Sequence, residues 1–178
     1  MCGFTAFEPE NQVQAAMVEA LRHCAGCEDL LSGAEVEALR RSPDGWLPLQ
    51  AWLDLLSSLV SQPGGWEKVV MLGMALGGQL LPPDAAQLTP AQTFRDVLEG
   101  FMALHRFGYW GEGWLHQIDE DTLRVVFITP YPDELLYGML YSVAHSCQPA
   151  TTLLSVPPTA PQRCPNKGDP PLILQITA

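Results

Sequence analysis

The sequence predicts an α+β fold, in which an N-terminal helical layer is followed by a β-β-α-β-β antiparallel sheet packed on helices. Three observations predict it. Through residue 106 the apolar residues recur mainly at helical spacing. From Tyr109 the period shortens to two, and β-branched and aromatic residues take over. One more helical stretch, opened by Pro132, then divides four strand-like segments into two pairs.

Each element has a local reason. Val13, Met17, Val18 and Leu21 form a helical stripe over residues 11–23. Ser32 and Glu35 make a capping box for a short helix through residue 41, and Pro43-Asp44-Gly45 is a turn. Pro48 at the first helical position opens a helix carrying Leu49, Trp52, Leu53, Leu56 and Val60. The break at Gln62-Pro63-Gly64-Gly65 ends it. Residues 66–81 are helical by length, although Gly73, Gly77 and Gly78 each cost about 1 kcal/mol against alanine. Such residues make sense where another element approaches closely. Thr89-Pro90 caps a helix reaching His105, with Phe94, Val97, Leu98, Phe101 and Leu104 on its apolar face.

In "YWGEGWLHQID" residues 110, 112, 114, 116 and 118 alternate with their neighbours, a strand loosened by glycines. The acidic turn Asp119-Glu120-Asp121 joins it to the strand "TLRVVFIT" as a hairpin. The helix at 133–146 has acidic residues in its first turn, as the helix dipole favours. "ATTLLSV" and "LILQIT" are the third and fourth strands, on either side of a proline-rich loop.

Composition narrows the function classes. A chain of 178 residues suggests one domain, here 46–178, with residues 1–45 as a helical extension. The net charge of −11 disfavours phosphate backbones and anionic lipid, so neither nucleic acid nor a membrane is an expected partner. No apolar run reaches the length of a spanning helix, and "MCGFTAFEPENQ" has no signal-peptide pattern, so a cytoplasmic protein is expected. Cys2, Cys24, Cys27, Cys147 and Cys164 are an odd set, read as mostly reduced thiols.

The tail "CPNKGDPPLILQI" has Cys164 followed by Gly168, Asp169 and Pro170 and a hydrophobic strand. This hairpin, with "HRFGYWGEGW" and "VVFITPYPDELLYGMLYSV" before it, resembles the 4-vinyl-reductase domain family. The resemblance runs over residues 46–178 and is densest at 105–178. It implies a fold shared with haem NO-binding sensor domains and transport-particle tethering subunits. It also implies a zinc-holding cysteine pair in some members, but Leu172 stands where the second cysteine is expected. The turn keeps its physical role without metal: Gly168 supplies a positive φ and Asp169 bonds its own backbone two residues on.

Other candidate chemistry is weak. "HCAGC", residues 23–27, is a lone C-x-x-C after a helix, where His145 and Cys147 would have to complete a metal site. Glu112 and His116 share a strand face and could bind metal or move a proton; a plain exposed strand edge is the alternative. No cofactor is assigned. Haem or another tetrapyrrole stays open through His105 or His145, though no propionate-binding motif of the haem sensors is found. No hydrolase, P-loop or zinc-protease motif occurs, and the carboxylates Glu8, Glu10 and 119–121 fall in solvent, so catalysis is not expected.

The aromatics carry the main expectation. Phe101, His105, Trp110, Trp114, Phe127, Tyr137 and Tyr141, set among Gly73, Gly77, Gly111, Gly113 and Gly138, suggest an apolar hollow between helices and sheet. The expected function is a non-enzymatic domain, a sensor or binder of an apolar or aromatic small molecule, acting through a partner or a homodimer. A tetrapyrrole-binding accessory protein and a structural interaction subunit without ligand are the alternatives.

Overall fold

The computed structural model describes residues 3–24, 44–147, 153–155 and 165–177. The described elements are α+β, with helices packed on antiparallel sheets. Strand β1 (Gln12–Gln14) leads into helix α1 (Ala16–Glu19) and a 3₁₀ turn (Ala20–His23). The helix expected over 11–23 therefore starts late. Distant chain explains this: β1 lies between β2 (Trp46–Pro48) and β3 (His105–Arg106), with Val13 opposite both Leu47 and His105. Pairing to two neighbours outweighs a local helical pattern. The apolar stripe itself holds, since Val13, Met17, Val18 and Leu21 are all buried. Residues 3–24 thus complete the common core.

Helices α2 (Leu49–Val60), α3 (Gly65–Leu80), α4 (Pro90–Ala103) and α5 (Asp133–Ser146) lie close to their expected spans. Pro48 precedes α2 as its N-cap rather than opening it, because residues 46–48 are occupied as β2. Thr89 caps α4 through a full capping box with Gln92. The helix stops at Ala103, two residues before His105, which pairs in β3 instead. The helix expected at 32–41 lies outside the described residues.

The second sheet contains β4 (Glu112–Gln117), β5 (Thr122–Ile128), β6 (Leu153–Ser155) and β7 (Leu172–Thr177), in the order β4-β5-β7-β6. The expected hairpin is β4–β5, and the closing strand β7 is central, between β5 and β6. Alternation decides its faces. Leu123, Val125 and Phe127 are buried opposite Ile176, Leu174 and Leu172, and share one core with Phe94, Val97 and Phe101 of α4 and Leu136, Leu140 and Val143 of α5. Leu172 is 1% exposed, so the position where a cysteine was expected is a core contact. The turn before β7 forms as expected at Gly168, with φ +96°. Asp169 caps that turn by accepting from the Asn166 amide at 2.7 Å, reaching back three residues rather than forward two.

The glycines between α3 and α5 serve close packing. A Cβ on Gly73 would lie 2.1 Å from the Leu135 carbonyl oxygen, and one on Gly138 2.1 Å from that of Val70. A Cβ on Gly77 would meet Ser142 Oγ at 2.2 Å. The two helices touch backbone to backbone, so these glycines leave no hollow.

Candidate functional site

The seven expected ligand-binding residues fall into three places. Phe101, His105, Trp110 and Phe127 come together in the core beside Tyr131. Trp110 stacks on the His105 imidazole with centroids 3.6 Å apart, and Phe101 meets His105, Trp110, Phe127 and Tyr131 at 5.2–6.2 Å. The rings expected to line a hollow pack on one another and fill it.

Trp114 sits elsewhere. Gly111, at φ +135°, breaks the strand alternation, so Trp110 lies outside β4 and turns into the core. The expectation that both tryptophans share one strand face fails for that reason. Trp114 pairs with Val126, on the sheet face opposite Phe127, and its ring packs edge-on to His116 at 6.5 Å. Tyr137 and Tyr141 leave the site altogether. They form an outer ladder along α5 with His145, at 6.0 and 6.5 Å, and Tyr141 is 42% exposed.

The buried cluster defines its own protonation. The Phe101 carbonyl can only accept, so His105 Nδ1 donates to it at 2.9 Å. Nε2 of the neutral ring then accepts from the Tyr131 hydroxyl at 2.6 Å. Burial lowers the His105 pKa to about 3, against smaller opposing contributions from the Phe101 and Met102 backbone. Burial likewise raises the Tyr131 hydroxyl well above its ordinary value. With both ring nitrogens engaged inside the protein, His105 is unavailable as an axial ligand in this arrangement, and His145 lies exposed on the outside of α5.

Glu112 and His116 share a face of β4, as expected, with different neighbours. Glu112 accepts from the Tyr109 hydroxyl at 2.9 Å, while His116 lies four residues along the strand, opposite Arg124. Cys147 is a buried free thiol whose pKa is raised by burial. Cys24 is buried and disulfide-bonded, correcting the reduced reading for that residue; its partner lies outside the described residues, as do Cys2, Cys27 and Cys164. Among the described residues no group of three His, Cys, Asp or Glu side chains is placed to hold a metal, and no helix is long and apolar enough to cross a membrane.

Two residues escaped the sequence reading. Tyr131 lies in the aperiodic "TPYPDE" segment, where only its framing by Pro130 and Pro132 hinted at a fixed position. Phe107 is 58% exposed with φ +61°, a rare conformation for a bulky residue. It is held by Asn11 Nδ2, which donates to its carbonyl at 2.8 Å, and by the Arg106 guanidinium over its ring at 4.8 Å.

What remains open is the edge between α4 and β4. There, Arg95, Leu98, Glu99 and Met102 of the helix face Gly113, Trp114 and Leu115 of the strand across a cleft of about 330 Å³. The helical residues follow i, i+3, i+4, i+7 spacing and so form one stripe. Gly113 brings the helix down, since a Cβ there would touch Leu98 and Phe127 at 3.0–3.1 Å. A second cleft of about 450 Å³ lies under the N-terminal end of α4, between Thr89, Pro90 and Ala91 and residues Gln117, Glu120, Asp121, Leu123 and Ile176 of β4, its turn, β5 and β7.

No protein-family model matches this chain, and no curated protein sequence matches it.

Proposed function

We propose that this chain is a non-enzymatic binding domain whose ligand occupies the open cleft between α4 and β4. The observation that carries this reading is the contrast between a filled core and an open edge. The central rings are in mutual contact, whereas Trp114, Leu98, Met102 and Leu115 border unoccupied volume. The lining combines apolar Leu98, Met102, Trp114 and Leu115 with the charged Arg95 and Glu99, so it offers both apolar contact and orienting polar groups. The strongly shifted pair His105 and Tyr131 lies beneath side chains rather than in a cleft, which favours binding over acid–base chemistry. The hairpin resemblance to the 4-vinyl-reductase family supports the same class of function.

Amide ¹H–¹⁵N spectra of the full chain, recorded against small apolar and aromatic fragments and short peptides, test this. Shifts clustered at Leu98, Met102, Gly113, Trp114 and Leu115 are expected, and Met102→Glu should remove them. Shifts confined to the outer face of α5, or none at the α4–β4 edge, would overturn the proposal.

A further inference from the structure

Resting on that cleft, we infer that its occupant is an extended peptide. It adds to the free edge of β4 as a further strand and places a basic side chain against the acidic turn at 119–121.

The edge comes first. Among the described residues β4 has one strand neighbour, β5, which it pairs with along all six positions. Its other edge therefore presents backbone N–H and C=O groups in strand register. Proteins usually blunt such an edge with lysine, proline, a bulge or a short strand. The β4 sequence EGWLHQ contains no lysine or proline and runs for six residues in unbroken register. An edge left this complete is a template for another strand.

The cleft supplies the rest of the recognition. Strand addition under a helix pairs main-chain hydrogen bonds with pockets for alternate side chains. Here α4 flanks β4, and the β4–β5 turn with Glu120 and Asp121 lies at the C-terminal end of that strand. Six residues of strand span about 20 Å, enough to run from the first cleft to that turn. In the first cleft Leu98, Met102 and Leu115 offer apolar contact, with Met102 adaptable in shape.

Charge fixes the chemistry at the other end. The second cleft is closed by Glu120 and Asp121, next to Asp119, which accepts from the Asp121 amide at 3.0 Å. The α4 N-terminus at Thr89–Ala91 contributes only about half a positive charge. Three carboxylates outweigh it, on a chain whose net charge is −11. A lysine or arginine of the incoming strand complements that end, whereas an acidic residue is repelled.

The test uses the full chain and a displayed library of random heptapeptides, together with the fragment set. Enriched peptides should alternate apolar residues and carry lysine or arginine at one end. N-methylation at every second peptide amide, in the register that faces β4, should abolish binding, while methylation in the other register should not. Asp121→Asn and Glu120→Gln should each weaken binding about two- to fivefold, as for exposed charge pairs. Peptides that survive methylation in both registers, or enrichment of acidic peptides, would overturn the inference. Fragments that shift the cleft amides when no peptide is enriched would sink strand addition and leave the cleft as a small-molecule site. Silence of those amides toward every probe would sink both.

Discussion

Acid should weaken this fold through a single imidazole. His105 is 8% exposed, donates from Nδ1 to Phe101 and accepts at Nε2 from Tyr131. A second ring proton would turn Nε2 into a donor facing the Tyr131 hydroxyl, whose own proton would need a new acceptor inside the core. Burial lowers the folded pKa from 6.5 to about 3. Below pH 6.5 the unfolded chain therefore binds a proton that the folded chain does not. His105 contributes its full stabilisation above that pH and loses it as pH falls toward 3. At 1.36 kcal/mol per pKa unit, the loss between pH 7 and pH 5 is about 2 kcal/mol. Urea denaturation at half-unit steps from pH 7.5 to 5 measures it. His105→Phe should be less stable at pH 7, because it strands the Tyr131 hydroxyl, yet its stability should be flatter across this window by that same amount, so the gap between the two proteins narrows as pH falls. Equal slopes in the two proteins would refute the assigned tautomer and burial.

Other predictions follow from packing and caps. Gly73→Ala should destabilise by about 3 kcal/mol, since its Cβ would collide with backbone at 2.1 Å, whereas Gly78→Ala, with nothing within 4 Å, should gain up to about 1 kcal/mol; thermal melts of both check the helix contact. Thr89→Ala should cost about 1 kcal/mol by removing the α4 capping box, measurable as a lower urea midpoint at constant slope. Cys147, buried and with its thiol pKa raised, should resist iodoacetamide in the native protein and react fully in denaturant; rapid native labelling, read by mass spectrometry of the Cys147 peptide, would contradict its placement.

The elements that were legible in the sequence are those whose signals are local. Thr89-Pro90 and Gln92 encode a helix start within four residues, and the α4 cap forms as written. The alternation of β7 likewise reads directly into its buried face, whereas β5 is buried on both faces. Misread elements depend on distant partners. Nothing near Val13 announces that Leu47 and His105 will flank it in a sheet. The glycines were legible only in half: composition says that something comes close at Gly73 and Gly138, not whether it is a ligand or the backbone of another helix. For the aromatics, a single backbone angle decided the outcome. The positive φ of Gly111 sends Trp110 inward and frees Trp114 from its expected face, and no periodicity argument contains that angle.

The filled core also bears on where binding takes place. A ligand entering between α4, α5 and the sheet would have to displace rings such as Phe101 and Trp110, at about 1.5–3 kcal/mol of lost burial for each. It would also have to separate His105 from Tyr131, leaving two buried polar groups at about 1–3 kcal/mol each. Together these terms approach the whole stability of an ordinary domain. Occupying the α4–β4 edge breaks none of these contacts. It covers the half-buried Leu115 and Trp114 and pairs strand-edge groups that have no strand partner among the described residues. The energetic balance therefore favours the proposed peripheral site over one in the core. Gly113 shapes the same cleft, because its missing side chain lets Leu98 of α4 sit close over β4. Gly113→Val should push Leu98 and Phe127 aside, lift α4, and weaken peptide binding while the β4–β5 pairing persists. Unchanged peptide affinity in that variant, with the helix displaced in its amide spectrum, would show that the cleft plays no part in recognition.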